Sequence, residues 1–456
     1  MQKSHELDMT CGSLMPKMLA FAVPVILSGL LQLLFNAADL VVVGRFAGSD
    51  ALAQVGATGA ITRLIVNLFV GMSVGANVVM AHSYGAKDAE GISNTVHTTM
   101  LFALLGGLVI GVAGFVLAPT LLRLMGTPAD ILDGAVLYMR IILIGAPVTC
   151  IYNYGAAVLR AVGDTRRPLY FLTAAGILNV VLNLFFVIVL HMAVAGVALA
   201  TVLSQALSMV LVVRTLMTTD ADYKLLPKKL RIHGGILARL LRIGVPAGIQ
   251  SCLFSISNVV VQSALNTFGS VTISGVTAAN SVEGFMFCAV DAFNHAATAA
   301  ISQNMGARNY DRVRLVVRTS TVLVVAVSLI LSTIFLLLRS ALVSIYASDP
   351  AVIEAGAKKL LISMPIYFFG GLMNMMAGVN RGLGYSMLPT TISLLGACVF
   401  RLIWIWTIFA WTPTFFILYV SYPISWILTT AAHYISYFVI RQRAFEKNDA
   451  LLAAKG

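Results

Sequence analysis

One carboxylic acid lies inside a stretch that otherwise has the composition of a membrane-spanning helix. Asp39 belongs to the stretch FNAADLVVVGRFAG, and Asn36, Gln32 and Ser28 precede it at intervals of three, four and four residues. These intervals place the four side chains on one face of a helix. A carboxylate at membrane depth is costly and usually functional, so we interpret Asp39 as a cation or proton site. The alternative is a structural hydrogen bond or ion pair between helices.

Two later segments add amide and hydroxyl groups at helical spacing. Asn179 and Asn183 lie one turn apart in LNVVLNLFF, and Thr201 and Gln205 lie one turn apart in ALATVLSQA. Their oxygens could bind Na⁺ or share a proton without adding charge. The alternative for the two asparagines is hydrogen bonding between packed helices. The predicted cation- or proton-binding residues are Asp39, Asn36, Asn179, Asn183 and Thr201, with Asp39, Asn179 and Asn183 as the ligands if the ion is Na⁺.

The composition is that of a membrane protein. The chain has 456 residues, of which 59% are hydrophobic and 11% charged, and its mean hydropathy is +0.92. Ordinary globular domains are about half apolar and a quarter charged. The net charge of +12 is spread between long apolar segments, which is typical of loop orientation in a bilayer and predicts no nucleic-acid partner.

We therefore predict an all-α polytopic membrane protein with about twelve transmembrane helices, since a span takes about 20 apolar residues. Placing the N-terminus in the cytoplasm puts most of the 30 Lys and Arg residues on the cytoplasmic side, as positive-inside topology requires, and both termini are then cytoplasmic. The predicted spans are 17–43, 51–81, 94–119, 130–159, 168–190, 193–217, 238–268, 272–303, 313–338, 350–379, 387–411 and 413–440.

The two halves of the chain resemble each other. LRAVGDTRRP recurs as NRGLGYSMLP, with Gly163 and Gly384 separated by 221 residues, and near the start of each half Pro24 and Pro246 are separated by 222. An even number of helices per repeat makes the repeats parallel, which predicts two six-helix lobes related by a pseudo-two-fold axis along the membrane normal. We place the lobes at 1–219 and 238–456, the latter with a short cytoplasmic tail, around a cytoplasmic linker at 220–237. Such lobes are expected to enclose a cavity that opens to one side at a time.

The two repeats differ at Asp39, because the offset of 222 pairs this acid with Val261 in the second repeat. The second lobe carries Glu283, Asp291 and Arg401 instead, and buried charges of both signs suggest pairing, with substrate or proton binding as the alternative. Methionines of the tenth predicted span could line a pocket for flat cations, although packing is the commoner role. The candidate substrate-cavity residues are Gln32, Asn153, Gln205, Asn258, Glu283, Asp291, Met373 and Met376.

In order along the whole chain, these motifs resemble the multidrug and toxic compound extrusion (MATE) family: FNAADLVVVGRFAG, the turns GAKD and GARN, and LRAVGDTRRP. The resemblance implies a multi-pass protein of the bacterial inner membrane that exports organic cations or amphipathic compounds in exchange for H⁺ or Na⁺. Asp39 matches the family's first-helix acid and Asn179 its fifth-helix asparagine. Asn183 stands where many DinF-like members have a second aspartate. The acids typical of the NorM-like branch are missing from GIQSCLFSISN and FFGGLMNMMAG, so the chain is more similar to the DinF-like branch.

Two other functional classes stay open at this point. A flippase for lipid-linked precursors should have several cavity cations, for which only Arg63 and Arg401 are candidates. An enzyme would need a nucleophile and base or a metal cluster, and the scattered histidines form neither, so we predict neither an enzyme nor a cofactor. The expected partners are small-molecule substrates and the lipid bilayer. Since one chain supplies both lobes, we expect it to work as a monomer.

Overall fold

A computed structural model describes residues 6–453, so the first five and the last three residues of the predicted lobes lie outside the described part. Over residues 6–453 the secondary structure is helical, without a β-strand. Eleven helices in this range are long and apolar enough to cross a membrane, and a bent pair brings the number to twelve. The predicted all-α polytopic fold is confirmed.

The helical spans lie close to the predicted ones. They are α1 (Leu14–Ala47), α2 (Asp50–Gly85), α3 (Ala89–Leu124), α4 (Ala129–Ile144), α5 (Ala146–Ala161), α6 (Arg166–Val189), α7 (Ala193–Thr218), α8 (Gly234–Phe268), α9 (Ser270–Gly306), α10 (Tyr310–Leu337), α11 (Pro350–Gly382), α12 (Met387–Phe409) and α13 (Phe415–Leu451). A short helix, Arg339–Ser344, precedes α11.

The fourth predicted span, 130–159, is a bent pair. Helices α4 and α5 meet at an angle of 44° around Gly145. Pro147 lies in the first turn of α5, where it has no N–H to continue the hydrogen-bond ladder of α4. The break in this span therefore follows from one proline.

The repeat is visible in the backbone of the two turns GAKD and GARN. Lys87 and Arg308 take positive φ angles of 53° and 55° at matching places. The next residue in each turn, Asp88 or Asn309, caps the following helix by accepting from a backbone N–H three residues on, at 2.8 and 3.3 Å. Such side-chain caps satisfy the free N–H groups at a helix start. The two halves thus share local geometry as well as sequence.

The described chain forms two compact units. The first contains residues 6–7 and Leu27–Gly244, and the second contains Asp8–Ile26 and residues 245–453. Packing therefore groups 8–26 with the second repeat and 238–244 with the first, whereas the predicted limits, 1–219 and 238–456, follow the order of the chain. The chain passes from one unit to the other near Pro24 in α1 and near Pro246 in α8.

Within the first unit, α3 packs on α5, α6 on α7 and α2 on α5. A core cluster of this unit joins α2, α3, α5 and α7 through residues such as Met80, Val96, Val158 and Val212. Within the second unit, α9 packs on both α10 and α11, and α11 also packs on α13. Val290, Leu360 and Met373 belong to the core cluster there. Each unit thus has a core of its own.

Within the first unit, α2 and the start of α8 cross at very close range. A Cβ atom on Gly75 would lie 2.2 Å from the carbonyl oxygen of Leu240, and one on Gly244 would lie 2.4 Å from that of Met72. Both obstacles are backbone atoms, which cannot rotate away. Small residues permit this kind of approach between membrane helices.

We predict that Gly75→Ala destabilises the protein by about 1–3 kcal/mol, because the methyl group would overpack the crossing. Thermal unfolding in detergent should show a lower Tm. Gly56→Ala is the matched control, since Gly56 lies on the same helix with nothing within 4 Å of an added Cβ; its Tm should stay equal or rise slightly. Equal Tm values for Gly75→Ala and wild type would contradict the close crossing.

Candidate functional site

The first unit brings Asp39 on α1 together with two asparagines on α6. The Nδ2 group of Asn183 donates to Oδ1 of Asp39 at 2.6 Å and to Oδ1 of Asn179 at 3.2 Å. Asn183 is fully buried and Asn179 is 6% exposed, whereas Asp39 is half-buried. Three of the five predicted cation-site residues thus form one connected polar group.

Tight packing between α1 and α6 fixes this geometry. The ring of Phe35 on α1 fills the place beside Gly176, where a Cβ atom would lie 1.8 Å from the ring. Around the other end of the site, Val43, Val187 and Val197 form an apolar cluster against which Tyr138 of α4 packs. A glycine on α6 therefore lets α1 come near enough for the hydrogen bond between Asp39 and Asn183.

Both helices of the site widen into a π turn just beyond the polar residues. The π turn Val43–Ala47 follows Asp39 on α1, and the π turn Phe185–Val189 follows Asn183 on α6. Single π turns inside helices are rare and occur frequently at functional sites, because they locally change the direction of side chains and carbonyls.

One oxygen at the site has no hydrogen-bond partner. Oδ1 of Asn183 is buried and lacks a donor among the described residues, a situation that costs about 1–3 kcal/mol in a folded protein. The amide nitrogen of Asn183 faces Asp39 and Asn179, so this oxygen would join the Asp39 carboxylate and Oδ1 of Asn179 in one donor set if the amide turned over. Such a set, hard oxygens with one negative charge, has the chemistry to bind a small monovalent cation or a proton.

The other predicted residues of the first unit lie elsewhere. Asn36 and Gln32 are exposed on α1, and the hydroxyl of Thr201 donates to the carbonyl of Val197 on its own helix at 3.0 Å. Asn153 donates to the carbonyl of Thr149 at 2.8 Å, and the Thr149 hydroxyl donates to Gln205. Direct participation of these residues in ion or substrate binding remains a prediction.

The second unit holds a polar cavity of about 250 Å³. The predicted residues Asn258 and Glu283 line it, but so does a lysine that the sequence analysis missed. Lys359 on α11 pairs with Oε2 of Glu283 on α9 at 2.9 Å and also donates to Asn280. Ser363 donates to the other carboxylate oxygen of Glu283 at 2.6 Å.

The charged residues of this unit pair differently from the expectation. Asp291 pairs with His295 at 3.5 Å and accepts from Asn294 at 3.1 Å. Arg401 on α12 is buried, donates to Ser425 at 3.1 Å and stacks at 3.9 Å on the ring of Tyr422. Thus neither acid takes Arg401 as its ion-pair partner.

The two methionines proposed for a cavity lie in the core. Met373 is 4% exposed and Met376 is fully buried, which favours the packing alternative for both. The sequence nevertheless contains a signal for Lys359. A lysine pair in AGAKKLLIS, within the predicted span 350–379, is as unusual at membrane depth as Asp39.

Comparison with known proteins decides the family. The MatE family profile matches residues 24–185 and, a second time, residues 246–407. The chain belongs to the MATE family. The resemblance seen in the sequence motifs is thereby confirmed, as is the duplication, since the two matches lie 222 residues apart. Placement within the DinF-like branch remains a prediction.

Several MATE relatives and structures are similar over most of the chain. The probable multidrug resistance protein YoeA of Bacillus subtilis is 27% identical over 381 residues, 82% of each chain. The probable multidrug resistance protein YpnP of the same species is 26% identical over 396 residues, 86% of this chain and 88% of YpnP. An outward-facing multidrug resistance MATE transporter of the MOP superfamily superposes with a TM-score of 0.88 at 21% identity, over 98% of this chain and all of that one.

We predict that Asp39 and Asn183 are energetically coupled by about 1.5–3 kcal/mol, the value of a hydrogen bond to a charged group. Asn183→Leu should lower stability because it removes the donor from a half-buried carboxylate, whereas Asp39→Leu combined with Asn183→Leu should cost less than the sum of the two single changes. Denaturant unfolding in mixed micelles measures the cycle. Asn94→Leu, which removes a 3.4 Å bond to Glu90 at the start of α3, is the control; additive effects at Asp39 and Asn183 would contradict the coupling.

Proposed function

We propose that this MATE chain is a secondary active multidrug exporter that exchanges organic cations or other amphipathic compounds for H⁺ or Na⁺ by alternating access. The proposal rests on the half-buried carboxylate of Asp39, which accepts a hydrogen bond from Asn183. Both residues lie within apolar membrane-spanning helices. Relatives named multidrug resistance proteins support the substrate class. The same relatives support placement in a bacterial inner membrane, and the loop charges support cytoplasmic termini.

The amide of Asn183 can serve both states of the site. An ionised carboxylate only accepts hydrogen bonds, and the Nδ2 group now donates to it. A protonated Asp39 gains an O–H donor, and a half-turn of the amide would present Oδ1 to that donor. The same half-turn would present Oδ1 to Na⁺ beside the carboxylate. A change of ion state is thereby linked to a change in the hydrogen bond that joins α1 to α6.

Exchange then follows from linkage. If bound cation weakens substrate binding by some factor, bound substrate weakens cation binding by the same factor. Pro24 removes one rung of the α1 hydrogen-bond ladder fifteen residues before Asp39, and α1 changes unit close to this proline. We expect α1 to bend there as the ion state changes. A single chain carries both units, which supports action as a monomer.

We predict that Asp39→Asn abolishes gradient-driven export, because the amide can neither bind a proton nor neutralise a cation. The measurement is efflux of a fluorescent organic cation from proteoliposomes under an imposed H⁺ or Na⁺ gradient. Asp130→Asn, which changes an exposed acid in the first turn of α4, is the control and should transport like wild type.

Export driven by one gradient and lost in Asp39→Asn would identify the coupling ion. Undiminished export by Asp39→Asn would remove this carboxylate from the mechanism. If wild type moves no organic cation under either gradient, the multidrug exchange is wrong, and the alternative, a flippase for lipid-linked precursors, would be favoured.

A further inference from the structure

The polar cavity of the second unit occupies the position that the repeat assigns to the Asp39 site. The offset of 222 pairs Asn36 with Asn258 and Asp39 with Val261, and both Asn258 and Val261 line the cavity. The offset of 221 pairs Tyr138, which packs beside the Asp39 site, with Lys359. The same place in the fold has therefore lost its acid and gained a lysine.

The last helix of each repeat continues the correspondence. An offset of 221 pairs the buried Ser204 of α7 with the buried Ser425 of α13. It also takes Thr201 and Gln205 to two further cavity residues, Tyr422 and Trp426. Amide and hydroxyl groups in the first unit thus have aromatic counterparts in the second.

Lys359 can bind one more acceptor in the cavity. Its side chain is 5% exposed, and an ammonium group has three N–H donors. Two partners are the carboxylate of Glu283 and Oδ1 of Asn280. Its remaining contact is the ring of Tyr419, 5.6 Å from Nζ, which is a weak partner beside a hydrogen-bond acceptor. An anionic group that enters the cavity would accept the third hydrogen bond of the Lys359 ammonium group.

A second cation, Arg401, lies behind Tyr422, one of the aromatic residues that line the cavity. Arg401 stacks on Tyr422 at 3.9 Å, and this ring stands between the guanidinium and the cavity. Glu283 is the acid that lines the cavity among the described residues. The lining and its backing thus carry two cations against one anion, a balance that favours a negatively charged ligand.

The aromatic wall of the cavity consists of Tyr419, Tyr422 and Trp426. The rings of Tyr419 and Tyr422 stack with centroids 6.1 Å apart, and Tyr422 meets Trp426 edge to face at 5.9 Å. The cavity lining also includes the amide side chains of Asn258 and Gln262. Flat aromatic surface together with amide donors suits a ring that carries a carboxylate.

We propose that this cavity binds small aromatic carboxylates, with the carboxylate on Nζ of Lys359 and the amide of Asn258, and the ring against Tyr422 and Trp426. The site is an organic-anion site, in contrast to the cation site at Asp39, and it does not depend on the cation exchange proposed above. The ligand carboxylate competes with Glu283 for Lys359. Removing the charge of Glu283 should therefore tighten binding, whereas removing Lys359 should abolish it.

The test is equilibrium binding of 1-naphthoate to the purified full-length protein in detergent. Glu283→Gln should bind naphthoate more tightly than wild type, and Lys359→Met should bind it at least about tenfold more weakly, the effect of losing one charged hydrogen bond. The double variant, Glu283→Gln with Lys359→Met, keeps the buried pair neutral and should bind as weakly as Lys359→Met. If Lys359→Met alone does not fold, the double variant is used in its place to test the proposal. Lys358→Met changes the adjacent lysine, which is 63% exposed and pairs with Glu354 at 2.7 Å, and should bind like wild type.

Two control ligands distinguish the contribution of the carboxylate charge from that of the aromatic ring. Naphthamide, with the same ring and no charge, and naphthylmethylammonium, with the opposite charge, should both bind more weakly than naphthoate to wild type. Weaker binding of naphthoate to Glu283→Gln than to wild type would overturn the proposal, as would unchanged binding to the double variant or a preference for the ammonium compound. Asp39→Asn should keep its affinity for naphthoate, so that a failure of the exchange proposal and a failure of the anion site give different results.

Discussion

A carboxylate inside the membrane must be satisfied by its neighbours, and in this protein the amide of Asn183 donates to Asp39 at 2.6 Å. Without such a donor, the charge would be costly at this depth. The close packing of Phe35 on Gly176 brings the two helices together, and a π turn on each helix follows the polar residues. The packing of α1 on α6 and the hydrogen bond between Asp39 and Asn183 thus occur together, so that a local change of ion at Asp39 could alter a long helix.

The duplicated chain uses one scaffold for two kinds of polar group. Helix caps and turn conformations are shared between the halves, because they are required to build each six-helix repeat. The charged residues are not shared: Asp39 has Val261 as its counterpart, and Lys359 has Tyr138. A buried Lys359 needs its own counterion, and Glu283 on the neighbouring α9 supplies it. The asymmetry lies in charge, whereas the fold is repeated.

The sequence predicted the spans, the repeat and the association of Asp39 with Asn179 and Asn183, since hydropathy, a fixed offset and helical spacing each have a direct structural meaning. It did not predict the bend at Gly145, although Pro147 is a sufficient cause. The interaction partners of the charged residues in the second unit could not be predicted from the sequence. Glu283 takes Lys359 and Arg401 takes Tyr422, because the outcome depends on which helix faces which, and no spacing within one segment contains that information. Exposure of Asn36 and burial of Met376 likewise depend on how the helices are rotated.

The central claim is that substrate and cation bind to this protein in opposition, through Asp39. The most direct measurement is the release of H⁺ or Na⁺ when an organic cation is added to the purified protein in weakly buffered detergent solution, followed by a pH indicator and a sodium-selective electrode. The account predicts that wild type releases one of the two ions in proportion to the substrate bound, and that Asp39→Asn releases neither. Saturable substrate binding to wild type without release of either ion, or equal release from Asp39→Asn, would contradict it.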